Sequence, residues 1–68
     1  MSLETLELAR KISRVVFDAD HIPRGLEAVT VAMILSTFAG DASDEVRAQY
    51  AAELVEAFDI LRHSGRIH

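Results

Sequence analysis

Asp18, Asp20 and His21 form the densest group of potential metal ligands in the chain. Carboxylate oxygens suit hard cations, and a short loop can converge two of them on one ion. The spacing fits only the first positions of a calcium loop. The glycine and later ligands of such a loop are missing, and Pro23 closes the segment too soon. A polar connection between two helices accounts for the same residues without an ion. His63 and His68 add ligands only if the C-terminus folds back or a second chain supplies them. No metal and no cofactor are expected, and a metal-assisted enzyme built on residues 18–21 is a minor alternative.

Nucleophilic chemistry has little to draw on. Cysteine is absent, which excludes thiol nucleophiles, zinc thiolate sites and disulfides. Ser2 and Ser43 read as helix caps and Ser64 as a terminating residue. Ser36 falls inside an apolar helix, where its hydroxyl can bond a carbonyl one turn back. No Gly-x-Ser-x-Gly elbow is present. Neither Gly25 nor Gly40 belongs to a glycine-rich run, so no phosphate-cradling loop is read. Arg24 at a helix start could meet an anion, but reads more simply as a solvated turn residue. No catalytic residue is assigned, and the expectation is that the protein is not an enzyme.

Nucleic acid is disfavoured as a partner. The chain carries 7 Lys+Arg against 11 Asp+Glu, a formal charge of -4. An acidic domain repels phosphate backbones. Arg10, Lys11 and Arg14 make a small basic patch, but Glu7 and Asp18 flank it. A recognition helix offers Arg, Lys, Asn or Gln from its first turns. The third helical segment opens Asp44-Glu45 instead, leaving only Arg47 and Gln49 to read bases. A small DNA-binding regulator using the second and third helices is the runner-up.

The elements that would position these residues are legible from punctuation and period. Pro23 with Gly25, Gly40 with Asp41, and Ser64 with Gly65 divide the chain into three segments. Each segment repeats with helical period, so the expected fold is all-α, a three-helix bundle forming one domain over residues 1–68. Helix 1 is expected at about 3–17, capped by Ser2, with Leu6, Leu8, Ala9, Ile12, Val15 and Val16 on one face. Helix 2 is expected at about 24–39, with Pro23 suited to the first helical position. It is apolar almost all round, with Glu27, Thr30 and Thr37 as a narrow polar stripe, which predicts burial on nearly every side. It is too short and too interrupted to span a bilayer. Helix 3 is expected at about 44–63, capped by Ser43 and acidic at its start. Its apolar face carries Val46, Tyr50, Ala51, Leu54, Ala57, Phe58 and Leu61, while Ile60 falls on the polar side.

Size and coverage then point to assembly. A 68-residue chain of 7.5 kDa is expected to expose about 4,200 Å² when folded and to bury only about 60% of its unfolded surface. Two amphipathic helices cannot cover a third that is apolar all round. A homodimer with the central helix 2 in its middle is the expected solution. Val31, Ile34, Leu35 and Phe38 are the interface candidates on helix 2. Tyr50, as an aromatic at the interface or core edge, and Arg47 are further interface candidates on helix 3. Arg47 lies on the apolar face of helix 3. It must snorkel to water or pair, with Glu27 as candidate partner. The expected function is a small non-enzymatic interaction or regulatory module that self-associates through helix 2. Another protein is the remaining class of partner. Residues 1–17 are charged throughout and show no signal peptide, so a cytoplasmic location and no membrane partner are expected.

Overall fold

A computed structural model describes residues 2–17 and 21–64. Three helices follow in order: α1 at Leu3–Val16, α2 at Arg24–Phe38 and α3 at Asp44–Ser64. There is no strand among the described residues. Each start falls at the expected residue and each end within one residue of it.

Local chemistry sets these limits. Ser2 Oγ accepts a hydrogen bond from the Thr5 N–H at 3.2 Å, satisfying a free donor at the start of α1. Ser43 does the same for α3, accepting from Val46 N–H at 3.3 Å. Pro23 sits one position earlier than the sequence suggests, as the cap of α2 and not its first helical residue. Its extended ψ of 134° turns the chain into the helix, and its carbonyl accepts the Glu27 N–H at 2.9 Å. Among the described residues no side chain caps the start of α2. Gly40 follows the end of α2, where an added Cβ would lie 2.9 Å from the Ser36 carbonyl oxygen. That approach to rigid backbone excludes any side chain without a shift.

α3 packs against both α1 and α2, while α1 and α2 make no close backbone approach among the described residues. The central helix is therefore α3, not α2. The reason is the width and length of its apolar face. Leu54, Ala57, Phe58 and Leu61 are all buried, and Tyr50 and Ala51 extend the same surface. At about 1.5 Å per residue, its 21 residues span about 31 Å, which accounts for the 33 Å long dimension of the molecule. Phe17, just past α1, meets Phe58 edge-on, with ring centroids 5.7 Å apart and planes at 87°. Ile22 closes the same core from the connection before α2.

α1 is turned relative to its expected face. Its buried line is Thr5, Ala9 and Ser13, with Leu8 and Ile12 half-buried beside it. Val15, expected inside, is 85% exposed. Small residues on the buried line permit close helix approach, which larger apolar side chains would prevent. No helix of the described residues is long and apolar enough to cross a membrane.

Candidate functional site

α2 is not buried almost all round. It is turned so that Glu27 and Thr30 face inward beside Val31 and Ile34, while Leu26, Val29 and Met33 face out. Its buried residues are Glu27, Thr30, Val31 and Ile34. Its exposed ones include Leu26, Val29 at 55%, Met33 at 65% and Phe38 at 65%. Two local arrangements make the inward polar side tolerable. Thr30 Oγ1 donates to the Leu26 carbonyl at 2.7 Å, so its hydroxyl needs no water. Glu27, 4% exposed, is held by Arg62 of α3, whose Nη2 donates to Oε2 at 2.7 Å.

That contact belongs to a four-member charge network. Arg62 also pairs with Asp59 one turn earlier, and its Nη2 donates to the Ile22 carbonyl at 3.2 Å. Arg24 lies 3.1 Å from Asp59 and 3.7 Å from Glu27. The alternation of Arg24, Glu27, Arg62 and Asp59 fastens the start of α2 to the end of α3. Glu27 Oε1 has no hydrogen-bond partner among the described residues. The expected candidate partner, Arg47, is not in this network. It is half-buried and its Nε has no partner among the described residues, so Glu27 is paired, but with a different arginine. The signal in the sequence was the doubled spacing: Arg24 to Glu27 and Asp59 to Arg62 are both opposite-charge pairs three residues apart.

The outward apolar residues of α2 form one wall of a groove, and Ile12 and Val16 of α1 form the other. Ile34 and Thr30 line its floor, and Thr37 and Phe38 its far end. Its volume is about 250 Å³. The groove exists because α1 and α2 each lean on α3 and not on each other.

The interface candidates divide accordingly. Phe38 stands open at the groove. Val31 and Ile34 are buried within the subunit, so they are not the open side that the sequence assigned to them. Leu35 and Tyr50 are half-buried and pack against the core. Leu26, Val29 and Met33 occupy the open side instead. Asp18, Asp20, Gly65 and His68 lie outside the described residues. His21 is exposed, and His63 Nδ1 lies 2.7 Å from the Asp59 carbonyl. Among the described residues no three or more His, Cys, Asp or Glu side chains gather in a metal-binding arrangement. Ser36, expected to be buried, is exposed. The chain matches no protein-family model, no curated protein and no solved structure.

Proposed function

We propose that the protein is a non-enzymatic helical interaction module that forms a homodimer through the open face of α2. The observation that supports this most is the apolar outer side of α2. A helix that hides Glu27 and exposes Leu26, Val29 and Met33 is patterned for an apolar neighbour on its outer side. With Val16 across the groove and Phe38 at its end, these side chains present on the order of 500 Å², the upper range for the largest apolar patch of a monomer. Exposed Ala28, Ala32 and Ser36 continue the surface towards the roughly 800 Å² per partner of a stable interface.

The charge distribution favours a second copy as the occupant. From Gly25 to Gly40 the only charged residue is Glu27, which is buried. A two-fold axis sets a face against itself, so any charge on it meets its like. In a chain of net charge -4, the outer side of α2 avoids that repulsion. The exposed sides of α1 and α3 both carry charged residues.

Light scattering after size exclusion tests the proposal. The wild-type chain is expected at twice 7.5 kDa at micromolar concentration. Met33→Lys alters a residue that is exposed in the subunit, so it should keep its helical circular dichroism and run as a single chain. A wild-type particle of 7.5 kDa at high concentration would overturn the proposal.

A further inference from the structure

We infer that α2 of a second copy lies in the groove between α1 and α2, so that α1 of each copy covers the outer side of the other copy's α2. This rests on the self-association proposed above and deepens it. The interface takes in a second helix, and each α2 is enclosed by helices of both chains.

The first observation is how α1 is turned. It spends small residues on α3, burying Thr5, Ala9 and Ser13. Its larger apolar side chains Leu8, Ile12, Val15 and Val16 share about 100° of arc, at about 100° per residue. The middle of that arc lies about 70° round the helix from the buried line. Ile12 and Val16 line the groove, which fixes the sense of the turn. Leu8 and Val15 come next round the helix, on the shoulder of the groove. Val15, at 85%, is the most exposed large apolar residue among those described.

The shape of the groove selects its occupant. Along α2 it runs from Leu26 to Phe38, about 18 Å at 1.5 Å per residue. Along α1 it takes in only Ile12 and Val16. A long apolar trough fits a helix, and the 15 residues of α2 give a matching length of about 22 Å. From Gly25 onward the outer side of α2 carries no charge. Seating α1 or α3 there would instead take exposed charges such as Lys11 or Glu45 out of water.

Two-fold symmetry makes the seating reciprocal. Each α2 that enters a groove offers its own groove in return. Its exposed outer residues Val29, Ala32 and Ser36 then meet the α1 shoulder of the other copy, where Ala32 and Ser36 leave room for Val15. The area agrees. A fully exposed valine adds on the order of 100 Å² of apolar surface, towards the roughly 800 Å² per partner of a stable interface. Glu4 and Lys11, next round α1, stay in water as a charged rim.

Sedimentation equilibrium of two variants with the same charge change tests the shoulder. Val15 and Gln49 are both exposed in the single chain, so Val15→Glu and Gln49→Glu should keep their helical circular dichroism. Val15→Glu sets a carboxylate against an apolar helix side and should weaken association about tenfold or more. Gln49→Glu, on α3, should leave it unchanged. Equal association of the two variants, with a wild-type dimer, would overturn the inference and leave self-association standing. A wild-type mass of one chain would remove the proposal beneath it. A second measurement does not depend on how Val15→Glu folds. The chain has no cysteine, so Lys11→Cys takes a single nitroxide at the rim. That chain is mixed with isotope-labelled wild type, and broadening is read on the labelled copy. The strongest broadening is expected on the outer side of α2, at Val29, Ala32 and Ser36. Strongest broadening in α1 or α3 of a dimer would exclude the seating.

Discussion

Glu27 is the residue on which the orientation of α2 depends. A buried carboxylate is tolerable only when paired and hydrogen-bonded, and Arg62 supplies both at 2.7 Å. Arg62→Met leaves that carboxylate in the core with only the exposed Arg24 nearby. Breaking a fully buried pair costs roughly 3–5 kcal/mol, and the 22% exposure of the Arg62 side chain reduces this to about 2–3 kcal/mol. Denaturant unfolding of Arg62→Met, Glu27→Gln and the double variant measures it. The coupling between the two sites should exceed about 1 kcal/mol. The same cycle with Arg47→Met should give coupling near zero, because Arg47 does not touch Glu27. Arg47→Met by itself should change stability by about 1 kcal/mol or less, since its guanidinium makes no ion pair among the described residues and its Nε is already without a partner. A large Arg47–Glu27 coupling would contradict the network.

The ends of α2 are set by opposite devices, and each carries a prediction. At the C-terminal end, Gly40→Ala forces a Cβ to within 2.9 Å of the Ser36 carbonyl, where only backbone movement can relieve it. The cost should be about 1–3 kcal/mol, visible as a lower urea midpoint with unchanged m-value. At the N-terminal end, Gly25→Ala meets open space and should stabilise the single chain by about 0.4–1 kcal/mol. The same substitution in two glycines thus has opposite signs. Neither sign is visible in the sequence, where both residues read as punctuation. The difference lies in how near the preceding turn's carbonyl comes. Helix boundaries were legible for a related reason. Ser2, Ser43, Pro23 and Gly40 act on bonds within a few residues of themselves, so their effect is local and leaves a local signature.

For the whole molecule, stability resides where α3 meets its two neighbours. Ile34 is 5% exposed, so Ile34→Asp places an unpaired charge in the core and should cost several kcal/mol, enough to unfold a small domain. Glu56 is exposed on α3, and Glu56→Ala should move stability by about 0.5 kcal/mol or less. Thermal melts followed by circular dichroism compare them, and equal midpoints would refute the packing described. The sequence by itself determined that the chain is three helices, where each begins and ends, and that Leu54, Ala57, Phe58 and Leu61 form one buried face. Those properties follow from residue spacing and from caps that act within a turn. Only the tertiary structure decided which helix is central and which way α2 faces. Counting apolar residues on α2 could not decide it, because nearly every direction is apolar. The pairing of Glu27 with an arginine 35 residues later did, by turning the Glu27 side inward and Leu26, Val29 and Met33 outward. That pairing joins groups far apart in the chain, and its strength depends on a distance that exists only after α2 and α3 have met.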